Sequence, residues 1–286
     1  MFRHAHRPMI APIVRNAFLF ALASALLFCP GRAAQAFAAP QTVTRDPQAL
    51  DLIASSLKAL TGPVAVNDVT LQATASYVAG SDEESGTATL TASGNQQSLV
   101  QINLSGGSRQ EIRNGPAGAW SGPDATVHSM ANHNCLTDAS WFFPALMLQA
   151  IAADPQLSVS YLGPDTSKGA TLIHLQVAHT LAYLSAGANQ IIQTLSTMHI
   201  YFDPKSSLPL VLDFYTHPDV DANRDLLVEI QFGNYQNASG WLVPFHIQKF
   251  FQRSLLLDLT VTNVLVNSGV PDSAFILPAI AEGGAQ

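Results

Sequence analysis

The sequence predicts a mainly β protein of the α+β class. We expect a strongly curved antiparallel sheet, an incomplete β-barrel of about eleven strands, with two or three helices plugging its concave face. Two observations carry this prediction: apolar and polar residues alternate in short runs over most of the chain, and most links between the runs are as short as hairpin turns. No strand–helix–strand rhythm occurs, which argues against a parallel sheet.

The N-terminal residues 1–36 have the features of a secretory signal peptide. Arg3, Arg7 and Arg15 form a positive leader, and the uncharged apolar run 17–28 is too short to span a bilayer comfortably. The sequence Ala-Gln-Ala at 34–36 then provides small residues at a cleavage site. We therefore predict a periplasmic protein, with a retained N-terminal anchor as the alternative.

The remaining chain is long enough for one domain with a sizeable core. We predict a flexible lead-in over 37–45, a single domain over 46–278 with an insert around 115–195, and a disordered tail over 279–286. Removing residues 1–36 takes away four of the thirteen basic side chains and no acidic one, which leaves a formal charge of −11. Such an acidic chain is a poor candidate for binding nucleic acid.

The predicted domain begins with a helix and an antiparallel meander. Asp46-Pro47 is a favoured helix start, apolar residues recur at three- and four-residue steps, and Gly62-Pro63 ends the run. Strict alternation over 69–77 and again over 88–92 and 100–104 predicts half-buried strands. Many of their inward positions are Ala, which leaves room for a covering helix or a ligand.

The composition of the middle of the chain predicts a buried segment that follows an irregular stretch. Residues 115–135 are rich in Gly, Pro, Asn and His and are expected to be irregular. The segment 138–153 is apolar nearly all round, so it is either buried on every side or lines a cavity. Residues 186–195 suggest a short helix, and alternating strands continue to about residue 266.

Catalytic and metal-binding patterns are weak. The chain has no G-x-S-x-G elbow and no phosphate-binding Gly loop. His128, His133 and Cys135 could supply metal ligands, but they lack a fourth partner and a recognised frame, so a polar loop is the favoured interpretation. The acidic stretch 219–225 could hold Ca²⁺ through Asp219, Asp221 and Asp225, but a solvated turn is the simpler interpretation. We predict no catalytic residues, no metal and no cofactor.

Apolar side chains are the strongest functional signal. Aromatic residues on the central segment and on the late strands can wall a cavity, although plain core packing explains each one individually. The predicted cavity residues are Trp141, Phe142, Phe143, Leu146, Met147, Leu210, Phe214, Phe232 and Phe245.

The order of motifs in the last third resembles the LolA/LolB-like superfamily of periplasmic lipoprotein carriers. A turn and strand over 203–210 are followed by Phe-Gly-Asn-Tyr at 232–235 and Gly-Trp-Leu-Val-Pro-Phe at 240–245. The strand 255–266 and the closing sequence 267–275 complete the match. The resemblance is good over about 197–277, loose over 46–105 and poor between.

This resemblance implies an incomplete barrel whose helices cover an apolar cavity for acyl chains. In the carriers an inward Arg helps to lock the closed form, and Arg109 and Arg113 are candidates by strand position. The insert over 115–195 departs from the compact carriers and argues against strict lipoprotein transfer. The same fold also serves as a sensor domain in envelope-stress regulators.

The sequence therefore favours an exported, non-enzymatic carrier or sensor that binds a lipid, a lipoprotein acyl chain or another hydrophobic ligand. We expect a monomer, with envelope proteins as a further class of partner and no nucleic acid. The first alternative is a structural or interaction module of the cell envelope with a filled core. The second is a metal-dependent enzyme that uses the 219–225 or 128–135 residues.

Overall fold

The computed structural model of this chain describes residues 42–94 and 96–279. The predicted signal peptide, residues 37–41 of the predicted lead-in and residues 280–286 of the predicted tail lie outside the described residues. None of the helices in the described part of the chain is long and apolar enough to cross a membrane.

The described residues form three α-helices, two short 3-10 helices and thirteen strands. The helices are α1 (Pro47–Thr61), α2 (Pro144–Ala153) and α3 (Ala186–Ser196), and the 3-10 helices are Asn132–Cys135 and Asp272–Phe275. The strands are β1 (Asp68–Ala79), β2 (Asp82–Ser93), β3 (Gln97–Leu104), β4 (Gly107–Asn114), β5 (Ala117–Ser121), β6 (Val127–Met130), β7 (Leu157–Asp165), β8 (Leu172–His179), β9 (Met198–Phe202), β10 (Pro209–Thr216), β11 (Leu226–Ala238), β12 (Trp241–Phe251) and β13 (Ser254–Val266).

All thirteen strands belong to one curved, unclosed antiparallel sheet. Their order is β6-β5-β4-β3-β2-β1-β13-β12-β11-β10-β9-β8-β7, so β1 and β13 pair in the middle while β6 and β7 form the edges. This confirms the predicted fold class.

The sheet has two strands more than the sequence predicts. The additional strands are β5 and β6, which lie in the stretch 115–135 that was expected to be irregular. Both are short, and Gly118 allows them to approach closely, because a Cβ at this position would lie 3.1 Å from the Met130 Sδ atom. Glycine in such a strand weakens the sequence signal while serving the packing.

The core lies between one face of this sheet, called here the inner face, and the helices α1 and α2. Strand residues at alternate positions, such as Leu71, Leu90 and Leu259, are almost completely buried in one cluster with Ile53 of α1 and Phe142 before α2. Helix α1 contacts α2, β7 and β12, so the two helices cover the inner face together. Helix α3 packs against β8 and β10 and contributes no residue to this cluster.

The ends of the helices follow local chemistry. The Asp46 carboxylate accepts a hydrogen bond from the Gln48 amide at 2.9 Å, and Gly62 closes α1 at a φ of 60°. Helix α2 begins at Pro144, because a proline is tolerated at the first helical position and the residue before it disfavours helical backbone. Phe143 accordingly has an extended backbone.

The end of the predicted lead-in lies along the edge strand β7. The Val159 amide donates to the Thr44 carbonyl at 2.7 Å, and the Asp46 amide donates to the Val159 carbonyl at 3.0 Å. Residues 44–46 therefore cover part of an edge that would otherwise expose unpaired backbone groups.

Candidate functional site

A cavity of about 500 Å³ opens at one end of the inner face, where β1, β3, β4, β5, β12 and β13 meet the segment that leads into α2. Its apolar walls include Val100 and Ile102 of β3 and Leu257 of β13. Directly opposed residues of antiparallel strands face the same side of a sheet. Leu257 lies opposite Tyr77 of β1, so both side chains face the cavity.

Three aromatic side chains frame this cavity. Trp141 is 3% exposed and belongs to the core, whereas Trp120 of β5 is 40% exposed and stacks on the His128 ring at a centroid distance of 4.3 Å. Tyr77 of β1 lies beneath the Arg109 guanidinium, 4.4 Å from its ring centroid. The cavity therefore runs from a partly exposed aromatic rim to a buried indole.

Two cationic side chains also line the cavity. Arg109 of β4 donates to the Glu84 carboxylate at 2.6 Å, and this bond lowers the pKa of Glu84. Lys249 of β12 lies opposite Leu257 in the register, and its Nζ atom is 4.6 Å from the Trp141 ring centroid. A lysine at an inner-face position of a strand is uncommon, because charged groups are seldom buried without a partner.

The space beneath α2 is filled by side chains. Phe142, Phe143 and Met147 are at most 1% exposed, and they pack in the same cluster as the inner-face strand residues. The open volume therefore lies beside Trp141, at the start of the segment, and not under the helix.

Hydrogen bonds hold residues 138–153, called here the α2 segment, to the rest of the molecule, and the first of these bonds lie before helix α2 begins. Arg113 of β4 is 4% exposed, and its guanidinium donates to the Thr137 carbonyl at 2.6 Å and to the Asp138 carbonyl at 3.3 Å. Both Arg109 and Arg113 face the inner side, because they lie opposite Ile102 and Ser98 of β3.

The middle and the end of α2 are tied as well. The Gln149 side chain makes two hydrogen bonds to the Val66 backbone, at 2.8 and 3.0 Å. The Arg45 guanidinium donates to four carbonyl oxygens at the end of the helix and just after it, those of Ile151, Ala152, Asp154 and Leu157. Carbonyls at a helix end lack partners within the helix, so this arginine satisfies them.

The nine predicted cavity residues occupy different environments. Trp141 lines the cavity described above, and Leu146 lines a shallow groove with Gln149. Leu210 and Phe232 line a cavity of about 730 Å³ that also contacts Lys168. The other five, Phe142, Phe143, Met147, Phe214 and Phe245, belong to the core cluster or pack against it.

The predicted metal-ligand sets are not assembled. Within residues 42–94 and 96–279, no three His, Cys, Asp or Glu side chains come together as metal ligands. His128 stacks on Trp120, whereas His133 contacts His217 edge-to-face at a centroid distance of 5.7 Å. Burial raises the pKa of the Cys135 thiol, which disfavours a nucleophilic thiolate.

The acidic stretch 219–225 has partners within the protein. An Asp219 carboxylate oxygen accepts from the Ala131 amide at 3.0 Å, and Asp225 is 3.0 Å from the His217 Nε2 atom. The first bond docks the β10–β11 connection at the start of the 3-10 helix that follows β6, and the second joins the two ends of the connection.

Sequence reasoning missed Lys249 and the polar network around Lys168. The signal for Lys249 was present: it continues the inward series Val243, Phe245 and Ile247 at two-residue steps. The Lys168 network could not be found in the same way, since its ammonium reaches across strands to Asp213 and Glu229, 45 and 61 residues away.

Comparisons with known proteins identify the fold. A LolA superfamily protein from Nitrosomonas europaea matches with a TM-score of 0.50 at 12% identity, over 80% of this chain and 97% of that one. A DUF1329 family protein from Desulfovibrio piger matches with a TM-score of 0.50 at 12% identity, over 81% of this chain and 98% of that one. An outer membrane lipoprotein-sorting protein domain from Vibrio parahaemolyticus matches with a TM-score of 0.49 at 13% identity, over 80% of this chain and 96% of that one. No family model and no curated protein sequence matches the chain. The chain has a LolA-like fold, as its motifs suggested.

Proposed function

We propose that this protein is an exported, non-enzymatic carrier or sensor that binds an acyl chain or another hydrophobic ligand in the cavity beside Trp141. The observation that supports it is an open volume of about 500 Å³ with apolar walls on the inner face. Small-molecule sites have volumes of roughly 300–1,000 Å³, are mostly apolar and carry a few polar groups. Among the described residues, no three His, Cys, Asp or Glu side chains come together as metal ligands.

Burial of hydrocarbon would supply the binding free energy, about 0.8 kcal/mol for each methylene removed from water. Val100, Ile102 and Leu257 would contact the chain, while Trp141 would close its inner end. A longer chain would require the α2 segment to move, because the space beneath the helix is filled. Arg113 is then the candidate for the locking arginine, since it holds the carbonyls that precede α2.

The periplasm is the proposed location, on the basis of the sequence features of residues 1–36 and the LolA-like fold. The proteins with this fold include one described as a LolA superfamily protein, and we propose a related envelope role for this chain.

A second candidate is an interaction module of the cell envelope whose core is filled by its own side chains. The complete burial of Phe142, Phe143 and Met147 favours it. On this hypothesis the cavity beside Trp141 is an incidental surface feature that binds no lipid.

Native mass spectrometry of the protein purified from cells separates the two candidates, together with uptake of a fluorescent fatty acid. Ile102→Trp would fill the cavity, and Gln101→Trp places the same ring one residue away on the opposite face of β3. We expect Ile102→Trp to abolish uptake and Gln101→Trp to retain it, with thermal melting as the check on folding. A clean mass and no uptake by the unmodified protein would favour the interaction module.

A further inference from the structure

The cavity beside Trp141 carries a cationic side chain that has no acceptor. The Lys249 ammonium has no ion-pair or hydrogen-bond partner among residues 42–94 and 96–279. The Arg109 Nη1 atom and the Trp141 Nε1 atom also lack a partner, but both atoms are buried. Lys249 is therefore the group in the cavity wall that a bound acceptor would stabilise.

Two cationic side chains lie close together in a protein that is otherwise acidic. The whole chain has only thirteen Lys and Arg against twenty Asp and Glu, yet two of the thirteen line this cavity. Each cation rests on an aromatic face: Arg109 on Tyr77 at 4.4 Å and Lys249 on Trp141 at 4.6 Å. Such contacts hold a cation in position without neutralising it.

The acidic groups near the cavity differ in position. Glu84 is bonded to the Nη2 atom of Arg109 and to the Gly106 amide. Glu111 also lines the cavity without an ion-pair partner in the described part of the chain, and it lies opposite the partly exposed Trp120. Lys249 lies over the buried Trp141 ring and is the unpaired cation of the wall.

We propose that the cavity selects amphiphiles with an anionic oxygen headgroup, a carboxylate or a phosphate, and that Lys249 binds the headgroup. The hydrocarbon chain would lie along Val100, Ile102 and Leu257. This inference rests on the proposed function, because it names the ligand class of the same cavity.

The test compares ligands that share one hydrocarbon chain and differ in the headgroup. Palmitate, hexadecyl phosphate, hexadecanol and hexadecylamine would each compete with the neutral dye Nile red on the unmodified protein. We expect both anions to bind at least about tenfold more tightly than the alcohol and the amine, as one charge-assisted hydrogen bond allows. Whether palmitate or hexadecyl phosphate binds more tightly identifies the source of the anionic group.

Variants assign the preference to Lys249. Lys249→Met should remove the advantage of the anions and leave hexadecanol binding within about twofold, whereas Lys249→Arg should retain it. Lys205→Met, at an exposed turn far from the cavity, is the matched control. Equal binding of all four ligands, or an anion preference that survives Lys249→Met, would overturn this inference and leave the proposed function standing. Failure of every ligand to bind would overturn the proposed function itself.

Discussion

Lys168 illustrates how a single side chain can hold distant strands together. From the β7–β8 turn its ammonium reaches Asp213 of β10 at 2.5 Å and Glu229 of β11 at 2.6 Å, with only 15% of the side chain exposed. Burial raises the pKa of Asp213 despite this contact. Burial also acts against the charge on Glu229, but the hydrogen bonds from Lys168 and Gln231 outweigh it and lower the pKa of Glu229.

Lys168→Met should therefore destabilise the protein, because it leaves two partly buried carboxylates side by side without a cation. We expect a loss of about 2 kcal/mol, between the values for surface and fully buried pairs, in urea unfolding. The exposed Lys205→Met should change the free energy of unfolding by less than about 0.5 kcal/mol. Equal effects of the two substitutions would show that the Lys168 contacts contribute nothing net.

His174 and His199 make the stability depend on pH. Their rings are joined by a 2.8 Å contact between Nε2 and Nδ1, which requires at least one neutral ring, and burial lowers the pKa of both. Asp165, 3.6 Å from His174, opposes this shift, while the nearby Lys168 adds to it.

The direction of this pH dependence follows from the linkage between proton binding and folding. A histidine whose pKa is depressed in the folded state contributes stability above its unfolded value of about 6.5, and that contribution is lost as the pH falls through the folded value. The unfolding free energy should therefore decrease between about pH 7.5 and pH 5. His199→Gln should flatten this dependence, and part of it should remain because burial also lowers the pKa of His179. His246→Gln, with a more exposed ring, is the control; an unchanged slope in His199→Gln would contradict the assignment.

At the scale of elements, local chemistry was predictable and tertiary contacts were not. Asp46-Pro47 and Gly62 fix the ends of α1 through neighbouring residues, so the sequence predicts them. Pro144 fixes the start of α2 in the same local way, because it constrains the backbone of Phe143.

The short strands β5 and β6 depend on tertiary contacts, so the local sequence did not predict them. Gly118 weakens β5 in isolation, and the strand forms because β4 and β6 supply hydrogen-bond partners on both sides.

The candidate site also combines a local feature that the sequence shows with a tertiary contact that it does not. Lys249 was readable from the inward alternation of β12, whereas its place above Trp141 depends on how the segment before α2 crosses the inner face.

Arg45 controls the end of α2. Its guanidinium satisfies four carbonyl oxygens, and Arg45→Met removes all of these bonds together with a positive charge at the helix C-terminus. We expect a loss of about 2 kcal/mol in urea unfolding, since hydrogen bonds to charged groups contribute about 1.5–3 kcal/mol. Arg224→Met, on the exposed β10–β11 connection, should leave the stability unchanged. A loss of similar size in both variants would exclude a specific role for Arg45.

At the scale of the whole molecule, the open sheet supplies most of the cavity wall, and the α2 segment contributes Trp141 to it. Arg113 ties the start of this segment to β4, Gln149 ties its middle to Val66, and Arg45 ties its end. The ties at the two ends come from arginines that belong to neither the segment nor the helix. A ligand longer than the present cavity would enter only if some of these bonds open.

Arg113→Met tests whether the start of the segment is the part that opens. The substitution leaves the Thr137 and Asp138 carbonyls without their donor, so amide hydrogen exchange should accelerate over residues 132–153 while the β11 and β12 amides keep their protection. Uptake of a fluorescent fatty acid should become faster for the same reason. Arg109→Met removes a cation of the cavity wall and leaves these carbonyl bonds intact, so it should not accelerate exchange over 132–153. If Arg113→Met instead accelerates exchange evenly across the sheet, Arg113 stabilises the whole fold and the segment does not open on its own.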